Sequence, residues 1–155
     1  ILTGGRAATS EDTNGQHGTG TTDLGAGIYY LPTIIDGATT EMDCVYDEAF
    51  GPTVTIETFT TEEEAIAIAN DTEYGLAGAV YTSDAGRAER VARALRHGTI
   101  WINDFPPYLP QAEWGGFKQS GNGRELGPTG LAEYQGHKHV YQNLSPAAWD
   151  QFGLQ

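Results

Sequence analysis

Residues 53–103 decide the fold class, and they read TVTIETFTTEEEAIAIANDTEYGLAGAVYTSDAGRAERVARALRHGTIWIN. The segment opens at 53–59 with an alternating, β-branched run, which is typical of a strand. Thr61 and Glu64 then form a capping box, and the acidic residues between them favour a helix N-terminus. An alanine- and isoleucine-rich run follows and ends at 70–71. This first half therefore predicts a strand followed by a helix.

The second half of the segment repeats the pattern. Apolar runs at 76–81 and 99–103 predict two more strands. Between them, Ser83 or Asp84 is placed to cap a helix, whose apolar side chains recur at helical spacing on one face: Ala88, Val91, Ala92 and Leu95. Gly98 is expected to end this helix in a left-handed conformation. Three strands joined by two helices with short connections predict the α/β class, with a partial parallel sheet of βαβαβ order and right-handed crossovers.

The flanking segments are less regular. Residues 1–27 are rich in glycine and threonine and predict a flexible loop. Residues 103–127 follow the last strand of the segment, at the edge of an open α/β sheet where ligands bind. A short helix around 129–135 and a strand at 137–143 are expected to close the ordered part, and 145–155 resembles a tail.

The composition is strongly acidic. Among 155 residues, 8 Lys and Arg stand against 21 Asp and Glu, so the formal net charge is −13 at pH 7. We therefore expect no nucleic-acid partner, because a basic face for phosphates is missing. No apolar run approaches the about 20 residues of a membrane helix, and the first residues do not resemble a signal peptide. A soluble cytoplasmic protein of about one domain is expected.

Lysine is rare in this chain: Lys118 and Lys138 are the two lysines, beside six arginines. A folded, acidic and lysine-poor surface indicates a protein from a high-salt cytoplasm, where screening weakens self-repulsion. An ordinary acidic enzyme is the alternative.

Three motifs contain residue types that can act as a nucleophile, a metal ligand or a phosphate-binding loop. For each of them the sequence favours a structural role instead. Cys44, the single cysteine, has carboxylates at 43, 47 and 48, which disfavour a reactive thiolate, so we expect a buried small side chain. His137 and His139 share one face of the expected strand, but no third metal ligand accompanies them. The glycines of 121–127 depart from the dinucleotide-binding fingerprint by one position.

Four residues are candidates for a site. Glu48 lies beside Phe50 at a Gly-Pro turn, where the carboxylate could hold a ribose diol and the ring could cover a planar group; a solvated turn is the alternative. Trp114 precedes two glycines, and its ring suits a cation, although core packing would also explain it. Glu125 is either a paired structural acid or a proton-transfer group.

Several motifs occur together in a recognisable order: Asp47-Glu48-Ala49-Phe50-Gly51-Pro52, Tyr74-Gly75-Leu76-Ala77, Gly98-Thr99-Ile100-Trp101-Ile102-Asn103, Trp114-Gly115-Gly116-Phe117-Lys118-Gln119-Ser120-Gly121 and Gly123-Arg124-Glu125-Leu126-Gly127. Over roughly residues 27–143, the chain resembles the NAD(P)-dependent aldehyde dehydrogenase superfamily. Residues 110–116 and 140–143 are most similar to the betaine-aldehyde dehydrogenases of the prokaryotic type.

The resemblance implies a reaction and roles for the four candidates. An aldehyde would be oxidised to a carboxylate through a cysteine thioester, with hydride transfer to NAD or NADP. Glu48 would hydrogen-bond the nicotinamide ribose, and Phe50 would pack near the nicotinamide. Trp114 would belong to an aromatic box around a trimethylammonium group, and Glu125 would relay a proton from the catalytic thiol.

The resemblance covers only the carboxyl-terminal third of such an enzyme. The nucleophilic cysteine and the general base of the family lie upstream of these motifs, and Cys44 is not in the nucleophile's place. Residues 28–136 would then be the carboxyl-terminal part of the catalytic domain, and 137–155 an oligomerisation strand and tail of a homo-oligomer.

Three hypotheses follow from this partial match. The chain would be inactive alone and would depend on the missing amino-terminal part of the enzyme. Alternatively, it is a non-catalytic module that pairs with another dehydrogenase polypeptide through an exposed edge strand. A truncated product without function is the third possibility.

Overall fold

Helices and strands alternate along the chain as the sequence patterns predict, in a computed structural model that describes residues 1–12 and 24–144. After a short 3-10 turn at Leu24–Ala26, the elements are β1 (Thr33–Asp36), α1 (Asp43–Tyr46), β2 (Thr53–Ile56), α2 (Glu62–Asn70), β3 (Tyr74–Gly75), β4 (Ala77–Val80), α3 (Ala85–Ala94), β5 (Thr99–Ile102), β6 (Phe117–Lys118) and α4 (Gly127–Ala132). Much of the predicted loop at 1–27 and the whole tail at 145–155 lie outside the described residues.

Both predicted helices begin at the expected caps. Thr61 Oγ1 accepts a hydrogen bond from the Glu64 N–H at 3.2 Å, and Glu64 Oε2 accepts one from the Thr60 N–H at 2.7 Å. In α3, the Asp84 carboxylate accepts a hydrogen bond from the Arg87 N–H at 3.0 Å. These side chains satisfy N–H groups that the first turn of a helix leaves unpaired, so both helix predictions are confirmed.

The parallel strand–helix–strand unit forms around α3. β4 and β5 pair in parallel, from Ala77 opposite Thr99 to Val80 opposite Ile102. Helix α3 packs on both strands, and Ala88 on its inner face is 5% exposed. The α/β class and the parallel pairing are thus confirmed.

The strand pairing differs from the simplest βαβαβ arrangement in two respects. β2 pairs in parallel with β1, not with β4, while β3 pairs antiparallel with β6. Each described sheet has two strands as a result. Periodicity identifies a strand, but its hydrogen-bonding partner depends on tertiary packing, which local patterns do not record.

The prediction for Gly98 is wrong. Helix α3 ends at Ala94, and Leu95 at its C-cap is extended. Gly98 has no positive φ. Glycine is needed there because a Cβ atom would overlap the carbonyl oxygen of Gly115. Close approach of two backbones, and not helix termination, explains this glycine.

The carboxyl-terminal elements also differ from the prediction. Helix α4 starts at Gly127, two residues before the expected position, and ends at Ala132. Residues 137–143 form no strand among the described residues, and all of them are exposed. A strand requires a neighbouring strand for its hydrogen-bond ladder, and the described strands do not include this segment.

Much of the apolar surface remains uncovered. Ala38 and Ala88 are the apolar residues below 9% exposure among those the structure describes, whereas Ile28, Phe50 and Tyr134 are each more than 90% exposed. Cys44 is also exposed, so the prediction of a buried thiol is wrong. Helix α1 is a single turn and has too few neighbours to cover that side chain.

No helix in the described parts of the chain is long and apolar enough to cross a membrane.

Candidate functional site

Two of the four predicted site residues lie side by side. The Trp114 N–H donates to the carbonyl oxygen of Glu125, and the Glu125 N–H donates to that of Trp114, both at 2.7 Å. This antiparallel bridge joins the loop between β5 and β6, which carries Trp114, to the loop after β6, which carries Glu125. The indole and the carboxylate are therefore held by a shared backbone pair, although eleven positions separate them.

Trp114 belongs to a group of four aromatic residues, which we call the aromatic cluster: Trp101, Phe105, Tyr108 and Trp114. The Trp114 ring lies 5.9 Å from that of Trp101 and 5.1 Å from that of Tyr108, centroid to centroid. The Tyr108 ring meets Trp114 edge to face, at 76°. The other three members were not predicted as site residues from the sequence. Aromatic residues recur from β5 to Trp114, and this recurrence could have indicated an aromatic cluster.

A hydrogen bond connects the cluster to Glu125. The Tyr108 hydroxyl donates to Glu125 Oε2 at 3.0 Å. Partial removal from water, together with the hydrogen bond to this carboxylate, raises the pKa of Tyr108. The phenol consequently stays protonated and remains a donor at neutral pH.

A cavity of about 400 Å³ opens beside Trp114 and Glu125. Its wall includes the thin backbone of Gly115 and Gly116. Arg124 braces this wall, because its guanidinium donates to the Gly116 carbonyl oxygen at 3.1 Å and lies 5.2 Å from the centre of the Phe117 ring. The lining residues include Trp114, the acidic residues Glu125 and Glu133, and Arg124. An indole beside carboxylates can bind an organic cation, and the Arg124 guanidinium is engaged by the carbonyl oxygens of Gly116 and Gly123.

Glu113, next to Trp114, anchors the first turn of α4. Its Oε1 accepts a hydrogen bond from Thr129 Oγ1 at 3.1 Å. Hydrogen bonds from its own N–H and from the Thr129 side chain and N–H lower the pKa of the Glu113 carboxyl below its ordinary value of 4.5. Glu113 therefore joins α4 to the segment that carries the site.

Glu113→Gln is expected to remove a pH-dependent part of the stability. A carboxyl with a depressed folded-state pKa stabilises the fold above its unfolded-state value, and this contribution is lost as the pH falls through the folded-state value. The difference in unfolding free energy between the wild type and the variant should be constant near pH 7 and shrink below pH 4.5. Urea titrations over this range measure it. Glu41→Gln, at an exposed carboxylate, is the matched control, and an equal pH dependence in both variants would contradict this role.

The other two predicted residues lie elsewhere. Glu48 and Phe50 occupy the exposed loop between α1 and β2, and Phe50 has a φ of 45° and is 93% exposed. No hydrogen bond or ring contact among the described residues joins them to Trp114 or Glu125. A cavity of about 450 Å³ lies at the first residues of β1 and β2, directly beyond Gly51. The left-handed backbone at Phe50 is unusual for an aromatic residue.

The sequence-based family resemblance is confirmed by comparison with known proteins. The model of the aldehyde dehydrogenase family matches residues 5–140. The betaine aldehyde dehydrogenase of Bacillus subtilis is 57% identical over 130 residues, which are 84% of this chain and 26% of that protein. The chloroplastic betaine aldehyde dehydrogenase of Atriplex hortensis is 49% identical over 126 residues, 81% of this chain and 25% of that protein.

A solved structure matches equally well. The crystal structure of a betaine aldehyde dehydrogenase from Staphylococcus aureus in complex with NAD+ superposes with a TM-score of 0.86 and 49% identity, over 98% of this chain and 28% of that one. The chain thus spans about a quarter of the length of the relatives that it matches.

Proposed function

The chain belongs to the aldehyde dehydrogenase family, and from this membership we propose that it forms the carboxyl-terminal part of an enzyme that oxidises betaine aldehyde to glycine betaine. In this proposal, residues 28–136 complete the catalytic domain, and 137–155 carry the oligomerisation strand and tail. The similar proteins named as betaine aldehyde dehydrogenases support the substrate class.

The arrangement of Trp114 beside Tyr108 and Glu125 carries the substrate assignment. A trimethylammonium group has no hydrogen to donate, so it is recognised by aromatic faces and by negative charge. The cavity is lined by the ring of Trp114 and by Glu125, whose carboxylate accepts a hydrogen bond from Tyr108. The aldehyde end of the substrate would then extend away from the rings toward groups supplied by the missing part of the enzyme.

The residues of the Glu48 loop fit a nicotinamide cofactor. Phe50 exposes a ring face, and the neighbouring Glu48 carboxylate is also exposed, so the two could cover a planar ring and accept hydrogen bonds from a ribose. When bound, NAD+ or NADP+ supplies the hydride acceptor for aldehyde oxidation. Glu48 and Phe50 would bind and orient that group.

Glu125 is the candidate for proton transfer. Its backbone is fixed by Trp114 and one carboxylate oxygen is held by Tyr108. The remaining oxygen can accept a proton from the thiol or water of the reaction.

Trp114→Phe tests the substrate class. The experiment needs a complete enzyme, so we define the chimera as the Bacillus subtilis relative with its matching segment replaced by this chain. Phe is a poorer cation site than Trp, so binding of betaine aldehyde should weaken by about 0.5–1 kcal/mol. Its neutral isostere, 3,3-dimethylbutanal, should bind as before. Steady-state kinetics with both aldehydes measure the difference, and an unchanged preference between them would contradict a cation site at Trp114.

The 155-residue chain alone is expected to reduce no NAD+ in the presence of betaine aldehyde. Its single cysteine, Cys44, lies in α1, and no hydrogen bond or ring contact in the described parts of the chain links it to the Trp114 site. The nucleophile would come from the missing part of the enzyme. Absorbance of NADH measures turnover, with the chimera as the positive control. Turnover by the isolated chain would show that the chain supplies its own nucleophile.

A non-catalytic assembly role is the second candidate. Val140 and Tyr141, in the segment expected to form the oligomerisation strand, are each 78% exposed. Such a segment could pair with the edge of another dehydrogenase polypeptide or of a second copy. Co-purification with an upstream polypeptide would favour this role.

A high-salt cytoplasm remains our proposal for the cellular setting. The ion pairs found in the described parts of the chain, such as Arg90 with Glu62, all use arginine, and lysine is nearly absent from the sequence. Glycine betaine is an osmoprotectant, so an enzyme that makes it suits such a cell.

A further inference from the structure

We propose that Tyr108 is a positioning residue that holds the carboxylate of Glu125 against the aromatic wall of the substrate cavity. The proposal rests on the proposed function, since it assigns a role within the same site. It is distinct from packing by the Tyr108 ring, because it depends on the hydroxyl group.

The side chain of Glu125 has one hydrogen-bond partner among the described residues, and that partner is Tyr108 Oη at 3.0 Å. The backbone of Glu125 is fixed by the bridge to Trp114. Its side chain is exposed and would otherwise sample several rotamers. A hydrogen bond to an ionised carboxylate is stronger than one between neutral groups, so this contact selects one orientation.

Arg124, the neighbour of Glu125, does not compete for the carboxylate. Its guanidinium donates to the carbonyl oxygens of Gly116 and Gly123 and lies over the Phe117 ring. Among the described residues, the Tyr108 hydroxyl is thus the group that donates a hydrogen bond to the Glu125 carboxylate.

Tyr108 is itself held in place by its surroundings. Its ring packs edge to face on Trp114, with centroids 5.1 Å apart. The preceding residue, Pro107, accepts a hydrogen bond from the Trp101 indole at 3.1 Å, which ties this loop to β5. These contacts hold the Tyr108 ring in place. Its hydroxyl therefore donates from a defined position and can orient the mobile carboxylate of Glu125.

This arrangement joins substrate binding to proton transfer. The ring of Tyr108 packs on Trp114, whose indole would face the ammonium group, and its hydroxyl orients the carboxylate that would take the proton. Raising the pKa of the phenol keeps the donor protonated through the neutral range. Loss of the hydroxyl should accordingly reduce the rate of the chemical steps more than the binding of the substrate.

Tyr108→Phe in the chimera tests the proposal. This variant keeps the ring and removes the hydroxyl. We expect kcat to fall about tenfold, below the 10²–10⁴-fold of complete loss of an acid–base catalyst. The KM for 3,3-dimethylbutanal should stay within about twofold, and the pH profile of kcat should change. Tyr81→Phe, at an exposed tyrosine outside the site, makes the same chemical change and is the matched control.

A double-mutant cycle with Glu125→Gln separates the hydroxyl from the ring. If Tyr108 acts through Glu125, Tyr108→Phe should lower kcat little further in the Gln background. Independent, multiplying effects of the two substitutions would overturn the proposal. A rise of KM with unchanged kcat would do the same, since it would assign only a binding role to Tyr108.

The isolated 155-residue chain provides a readout that does not depend on activity. In its carbon-detected NMR spectrum, Tyr108→Phe should shift the side-chain carboxylate signal of Glu125, and Tyr81→Phe should not. An unchanged Glu125 signal would overturn the positioning role even if the chimera is active. If the unmutated chimera oxidises neither aldehyde, the proposed function fails, and the NMR result still decides whether Tyr108 orients Glu125.

Discussion

Gly98→Ala is expected to destabilise the fold by about 3 kcal/mol, the upper part of the range for forcing extra atoms into a filled space. A Cβ atom at position 98 would overlap the carbonyl oxygen of Gly115 and lie 3.3 Å from that of Leu76. Both obstacles are backbone atoms, so no side-chain rotation relieves the clash. The backbone near Gly115 would have to move away from β5, and Trp114 would move with it.

Urea unfolding of the 155-residue chain, followed by tryptophan fluorescence, measures this effect. Gly136→Ala is the matched control, because an added Cβ there meets nothing within 4 Å and Gly136 has no positive φ. The control should change the unfolding free energy by less than about 0.5 kcal/mol. Equal stability of the two variants would show that position 98 does not require glycine.

Lys118→Met is expected to cost about 2 kcal/mol, in the range for hydrogen bonds that involve a charged group. The Lys118 ammonium donates to the carbonyl oxygens of Asn70 and Thr72, both at 2.9 Å. Asn70 is the last residue of α2, so the cation also lies at the negative end of that helix.

The end of α2 is connected to α3 at the same point. The Asn70 side chain donates to the Ala94 carbonyl oxygen at 2.9 Å and accepts from the Arg96 N–H at 2.7 Å. Removing the ammonium would leave partly buried carbonyl oxygens without their donor and would loosen the contact between β6 and the end of α2.

Lys138→Met is the matched control for this substitution, because Lys138 is the other lysine and is exposed. Urea unfolding at low and at molar salt measures both variants. The cost at Lys118 should persist in high salt, since its acceptors are neutral carbonyls and screening acts mainly on exposed charges. If Lys118→Met lowered the unfolding free energy only at low salt, the cause would be a nonspecific effect of charge and not the two hydrogen bonds.

Prediction from the sequence succeeded where the signal is local. The Thr61 cap was predicted correctly, and Asp84 was one of the two residues predicted to cap α3, because a cap depends on residues within one helical turn. The apolar runs of β4 and β5 predicted their parallel pairing because a short helical connection leaves few other arrangements. Trp114 and Glu125 were both candidates through the family resemblance, and the structure places them side by side, while their roles stay predictions.

Prediction failed where distant segments meet. Gly98 was assigned to a helix end, but it is needed for contact with Gly115, which is seventeen positions away. Tyr108 was not selected, because its hydroxyl reaches Glu125 only when the loop folds back. The exposure of Cys44 could not be derived from composition, since burial depends on which elements pack around α1.

The sequence by itself determined the α/β class, the two capped helices and membership in the aldehyde dehydrogenase family, because these follow from periodicity and from motifs of neighbouring residues. Only the tertiary structure decided that β2 pairs with β1, that Trp114 and Glu125 share a backbone bridge, and that Tyr108 holds the carboxylate. The physical reason is that such contacts are short in space but long in sequence, and their formation depends on how the whole chain packs.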